Sequence, residues 1–205
     1  MRIGVFGGSF DPVHVGHLIA AECCREQARL DRVLFVPAAI PPHKQERRLA
    51  SGHHRIDMLL LATGGHPAFA VSPDEIDRGG VSYTLDTLQR LAAAHPRDDL
   101  VLLLGPDAFL GLPGWHEPRR IASLAEIVPM ERETLDDLGC AACREPLAPL
   151  LGADLLEQSL AARVRLPAIG IRSSDLRADV AGGRSIRYRT PRAVEMYIAS
   201  HGLYR

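Results

Sequence analysis

No stretch of this 205-residue chain approaches the ~18 consecutive apolar residues that a membrane-spanning helix needs. The N-terminus also lacks the basic segment and apolar core of a secretion signal. These absences exclude a membrane partner and set the expectation of a cytoplasmic protein. Charge of one sign is missing too. The formal net charge is −1, which removes any broad electrostatic case for DNA or RNA, and no nucleic-acid partner is expected. Cysteine is scarce, with only Cys23, Cys24, Cys140 and Cys143. Cys23 and Cys24 are adjacent in a predicted helix, where their side chains diverge. Cys140-Ala-Ala-Cys143 has the spacing of half a zinc site or of a redox pair. No second CxxC and no histidine pair at finger spacing follow, so the pair reads as loop thiols kept reduced and no protein metal site is expected. The Gly-x-Gly-x-x-Gly dinucleotide loop and the Walker Gly-Lys-Ser/Thr are absent, as is any internal repeat.

What is present is an ordinary globular composition, 46% apolar and 24% charged, in a chain long enough for one α/β domain. Apolar bursts at 2–6, 32–37, 69–72, 100–105, 125–130 and 164–171 read as strands. Helical patterns fall at 15–30, 53–63, 85–94, 119–124, 154–163, 174–181 and 191–200. Ser51 is placed to cap the second helix, Thr84 stands at the start of the third, and Thr190 caps the last, with Pro191 as its first residue and Gly202 just past its end. Residues 131–153 mix charge, Gly, Pro and cysteine and read as a variable loop or irregular connection. Alternating strands and helices with continuously apolar strands predict a doubly wound parallel sheet with helices on both faces, a Rossmann-like single domain over 1–205. Ligands of such sheets sit beyond the carboxyl ends of the strands, where strand order reverses. If the first and fourth strands are neighbours, Gly7-Gly8 and Gly105-Pro106-Asp107 line one crevice.

The most informative segment is Val5-Phe-Gly-Gly-Ser-Phe-Asp-Pro-Val-His-Val-Gly-His17. A buried strand runs into Gly7 and Gly8, which tolerate positive φ and close approach of a ligand. His14 and His17 follow at a predicted helix start, spaced so that both rings face one point. Free N–H groups and the partial positive charge of a helix start suit an anion. Near the other end, Ile171, Ser173 and Ser174 meet a second predicted helix start, with Arg177 one turn on. Lys44 to Arg48 form a short basic cluster suited to a small phosphorylated molecule.

The His14-Val-Gly-His17 run resembles the HxGH signature of the nucleotidyltransferase superfamily, and Gly7 to His14 is similar to its nicotinate mononucleotide adenylyltransferase branch. Pro41-Pro-His-Lys44, Ser82-Tyr-Thr-Leu-Asp-Thr-Leu88, Gly105-Pro-Asp107 with Leu112-Pro-Gly-Trp115, and Ile171 to Arg177 resemble further segments of that family in the same order. Gly183-Arg-Ser-Ile-Arg-Tyr188 and His201-Gly-Leu-Tyr204 agree as well, so the resemblance covers most of the chain outside 131–165. Arg172 and Pro106 depart from it.

The resemblance implies transfer of the adenylyl group of ATP to nicotinate mononucleotide in NAD biosynthesis, with Mg²⁺ carried by the phosphates. It implies His14, His17 and Arg177 as catalytic groups. Gly7, Gly8, Ser9, Phe10, Gly105, Asp107, Ile171, Ser173 and Ser174 would bind ATP, with about 172–205 completing that site. Lys44, Arg55, Tyr83, Thr84 and Trp115 would bind the mononucleotide. Asp11, before a proline in a pair that commonly starts turns, reads as structural from its own context. The rival readings are a related adenylyltransferase with phosphopantetheine or nicotinamide mononucleotide as acceptor, and a non-catalytic nucleotide-binding protein. Self-association into a homo-oligomer stays open.

Overall fold

A computed structural model describes residues 1–40, 49–133 and 137–205. In chain order the elements are β1 (Arg2–Gly8), α1 (Val15–Gln27), β2 (Arg32–Pro37), α2 (Gly52–Thr63), β3 (Phe69–Val71), α3 (Asp74–Arg78), α4 (Thr84–Ala94), β4 (Asp99–Leu104), α5 (Pro106–Gly111), α6 (Pro118–Leu124), β5 (Glu126–Arg132), α7 (Ala141–Ala161), β6 (Val164–Leu166), α8 (Ser173–Ala181) and α9 (Arg192–Ser200). A 3₁₀ turn, Leu112–Gly114, follows α5.

The six strands form one parallel sheet in the order β3-β2-β1-β4-β5-β6. Its residues alternate between two cores, as the period of a strand requires. In β4, Val101 and Leu103 join Phe6, Ala21, Met58, Leu176 and Val194 on one face, while Leu100, Leu102 and Leu104 join Val5, Leu88, Phe109, Ile121 and Leu156 on the other. Both faces are covered, so the central strands have continuously apolar middles, with Arg2, Arg32, Asp99 and Glu126 at their first positions, instead of alternating with polar residues. Strand order reverses between β1 and β4, which are neighbours, the condition for one shared crevice, and their carboxyl ends open the cleft described below.

Three sequence expectations change. The strand expected over 164–171 stops at Leu166, and an irregular segment without β pairing carries the chain to α8. The last helix takes Pro191, not Thr190, as its N-cap, because the Thr190 hydroxyl instead donates to the Val13 carbonyl at 2.8 Å. Within 131–153, where an irregular connection is expected, α7 begins at Ala141. It tolerates Pro146 and Pro149 because Leu147, Leu156 and Leu160 are buried in the core. It kinks at Gly152, whose φ of 75° suits glycine best. Ser51 does cap α2, accepting from the His54 N–H at 3.3 Å.

Candidate active site

The link from β1 to α1 is held almost rigidly. Phe10 has φ +45°, uncommon for a residue with a side chain, and burial enforces it. Its ring is 1% exposed and packs edge-on against Phe6, Phe35 and His17. This corrects the assignment of Phe10 to ATP, since the side chain belongs to the core and the residue does not line the cavity described below. Gly7 and Gly8 do not use positive φ; Phe10 carries it.

His14 is the N-cap of α1, with extended backbone, and His17 is its third helical residue. The His14 N–H donates to His17 Nδ1 at 3.2 Å, and the rings stack with centroids 3.7 Å apart. Because Nδ1 of His17 accepts, its proton sits on Nε2, the atom left to donate to a ligand. Nδ1 of His14 is buried without a hydrogen-bond partner. Gly16 leaves room for the His14 ring, since a Cβ there would lie 3.0 Å from His14 Nδ1 and press on the imidazole. Burial pushes His14 down to about 4. Burial first, then the neighbouring His14, hold His17 well below the usual imidazole range. Both rings are therefore neutral at pH 7 in the free protein.

The C-terminal segment clasps this link. Arg177 donates to the carbonyl of Asp11, Ser173 to that of Pro12 at 2.9 Å, and Thr190 to that of Val13 at 2.8 Å. Three successive carbonyls thus find donors from residues more than 160 positions away. Asp11 is fully buried; its Oδ1 accepts from Tyr204 at 2.6 Å and from the Ala50 N–H at 3.3 Å, and Oδ2 lies 3.6 Å from Arg177. A structural role fits it. Burial, with the Asp11 carboxylate next, raises the Tyr204 phenol. Ser174 is exposed and bonded to Asp175 at 3.1 Å; Ile171 packs on the core.

Arg55 is corrected. It is 1% exposed, and its guanidinium donates to the carbonyls of Ser9 at 2.9 Å, Ala50 at 3.1 Å and Ala39 at 3.4 Å. It braces the loop from below and is not presented to a mononucleotide phosphate. Lys44 lies outside the described residues.

Beside the loop is a cavity of ≈ 330 Å³ reached from the carboxyl ends of β1 and β4, with Gly7, Gly8, Ser9 and Gly105 in its wall. Tyr83, Thr84 and Trp115 also line it. Tyr83 is the N-cap of α4 and packs at 4.9 Å against His116. Trp115 follows the 3₁₀ turn, its N–H bonded to the Leu112 carbonyl at 3.0 Å. Pro106 occupies the first position of α5, where its missing N–H matters least, so this departure is accommodated. Asp107, next to it, is exposed. Arg172 is the exposed N-cap of α8 and bonds by its backbone carbonyl.

The cavity contains a group the sequence does not flag. Glu75 is buried in its wall, accepts from Thr87 at 2.5 Å and is bonded by Ser82, whose Oγ accepts from the Ala39 N–H at 2.9 Å. Burial pushes its carboxyl up. No local pattern points to Glu75, because its partners are set by the packing of α3 on α4.

Fold and site define a parallel α/β protein with an anion-ready helix start and a ligand cavity at one topological switch point. Residues 5–179 match the family described as cytidylyltransferase-like. A Thermomicrobium roseum protein named "Probable nicotinate-nucleotide adenylyltransferase" is 45% identical over all of this chain and 92% of its own length. A Thermus thermophilus protein of the same name is 44% identical over the full length of both. The fold is shared with the Plasmodium falciparum nicotinic acid mononucleotide adenylyltransferase complexed with NaAD, at TM-score 0.73 and 16% identity, covering 99% of this chain and 97% of that one. This chain belongs to the cytidylyltransferase-like family, in its nicotinate-nucleotide adenylyltransferase branch. Among the described residues no helix is long and apolar enough to cross a membrane.

Proposed function

We propose that this protein transfers the adenylyl group of ATP to nicotinate mononucleotide, giving nicotinate adenine dinucleotide and pyrophosphate, a step of NAD biosynthesis in the cytoplasm. The observation that carries the reading is the stacked His14–His17 pair at the start of α1, with Arg177 anchored to the same loop. The nucleophile, a phosphate, is already an anion, so neither a general base nor a covalent enzyme intermediate is needed. The tasks are alignment and charge stabilisation. A phosphate oxygen of the mononucleotide attacks the α-phosphorus, and the bond to the β-phosphate oxygen breaks. His17 donates from Nε2 to an α-phosphate oxygen, and His14 stands beside it. The nitrogens of Arg177 not engaged by Asp11, with the start of α8 at Ser173 and Ser174, meet the departing pyrophosphate. Gly105 and Asp107 face the adenosine.

In the acceptor half, Trp115 offers an aromatic face to the pyridine ring, while Thr84 and the start of α4 receive its carboxylate. Lys44 is assigned to the mononucleotide phosphate. Mg²⁺ would arrive on the phosphates of ATP and neutralise part of their charge. Among the described residues no three His, Cys, Asp or Glu side chains gather as a cage for it.

Pyrophosphate release tests the reading, with ATP and either nicotinate or nicotinamide mononucleotide as acceptor. Higher kcat/KM with the acid is expected. Equal or amide-favouring efficiency contradicts the acceptor assignment, and no turnover by folded, ATP-binding protein contradicts the activity.

A further inference from the structure

We propose that Cys140 and Cys143 form a reversible dithiol–disulfide pair that exchanges with small-molecule disulfides of the glutathione type. The inference is independent of the adenylyl-transfer reading, because neither cysteine belongs to either half of the cleft.

Cys140 is the N-cap of α7, with extended backbone, and Cys143 is its third helical residue. Side chains at these two positions meet across the first turn of a helix, the relation that also stacks His14 on His17. Here it brings two sulfurs to 3.1 Å. The Cys140 S–H points to the Cys143 sulfur, and the Cys143 S–H to the Asp137 carbonyl at 3.3 Å. A disulfide needs an S–S length of about 2.05 Å, so the remaining approach is about 1 Å, within reach of side-chain torsions. The turn is fixed on both sides. Leu138 is buried and its N–H donates to Glu131 at 3.0 Å, the Arg144 Nε donates to the Gly139 carbonyl at 2.8 Å, and Leu147 is buried. The pair is therefore held ready rather than assembled from mobile parts.

Facing geometry separates this pair from the other two cysteines, since Cys23 is half-buried too but Cys23 and Cys24 are adjacent on α1, where neighbouring side chains do not face each other. Cys140 and Cys143 are half-buried at the surface end of a helix, the setting of reactive dithiols. Cys24 is fully buried, and burial pushes its thiol up to about 12; burial and two nearby glutamates raise Cys23 as well. One cysteine sulfur, losing its proton, attacks oxidised glutathione and releases one reduced glutathione. The second cysteine attacks the resulting mixed disulfide, closes the Cys140–Cys143 bond and releases another. Two thiols are oxidised, one disulfide is reduced to two thiols, and both cysteine protons end on the released thiols.

The test equilibrates the folded, full-length protein in graded mixtures of reduced and oxidised glutathione, quenches the exchange with acid, alkylates it in denaturant so that every reduced thiol reacts, and measures its mass. The expected product has lost two hydrogen atoms, carries two unalkylated cysteines mapped to 140 and 143, and reverts in excess reduced glutathione. Cys140→Ser and Cys143→Ser, with adenylyl transfer unchanged, each stop at a single glutathione adduct. Absence of the intrachain disulfide at every ratio overturns the proposal, as does protection that includes Cys23 or Cys24, or a bond between chains.

Discussion

At the N-cap of α1, His14 gives its backbone N–H to His17, and that one bond fixes which nitrogen of His17 carries the proton. Replacing His17 by Ala removes a positioned donor and is expected to lower kcat about 100–1000-fold with little change in mononucleotide KM. Steady-state kinetics decide it, and a pure loss of affinity contradicts the assigned role. Gly16→Ala drives a Cβ to 3.0 Å from His14 Nδ1, so it should displace the imidazole and lower kcat while thermal unfolding shows the fold intact. Burial also predicts a pH dependence. With His14 at about 4 in the folded protein against an ordinary 6.5, the unfolded chain takes up a proton in that window that the folded chain does not. Stability is full above pH 6.5 and falls as pH drops from 6.5 toward 4. Urea midpoints of the wild type should show this slope, and His14→Gln should flatten it; an unchanged slope contradicts the burial account. At this scale the histidine pair was legible because its spacing is local, while the room that Gly16 leaves for His14 was not. Arg55 was not, since its three carbonyl partners are defined by the fold and turn a plausible phosphate ligand into a brace.

Among elements, α8 and the chain end act as a clasp on the β1–α1 link. Tyr204 is 193 positions from Asp11 and bonds a carboxylate that has no access to water. Tyr204→Phe withdraws one donor from a buried charge and should destabilise the fold by about 1–3 kcal/mol in urea titrations. No change would remove the clasp from the account. In α3, Glu75→Ala leaves the Thr87 and Ser82 hydroxyls without their acceptor and should cost a similar ~1–3 kcal/mol, while Glu75→Gln keeps an acceptor and should lose less. Loss of the same size in both variants contradicts this. Strand cores were readable from the apolar period and the start of α2 from Ser51, while the expected Thr190 cap was not realised. The start of α7 was not. Pro146, Pro149 and Gly152 give it a loop's composition, and only burial of Leu147, Leu156 and Leu160 on the sheet makes it a helix.

For the molecule as a whole, the decisive feature is strand order. Placing β1 beside β4 sets the ends of two distant segments, Gly7–Gly8 and Gly105, in one cavity wall, and the same switch point carries the histidine pair on α1. The parallel sheet followed from strand–helix alternation, whereas the adjacency of β1 and β4 entered the sequence reading only as a condition, which the strand order meets. The contacts that clasp the loop, all between residues more than 160 positions apart, leave no local trace in the sequence. The central claim is that the donor and acceptor halves of this cleft pass adenylate directly between two phosphates. The most direct measurement uses ATP made chiral at the α-phosphorus with sulfur and reads the configuration of the dinucleotide product. A single in-line displacement predicts inversion. Retention, which requires an adenylyl-enzyme intermediate and two displacements, would contradict the account.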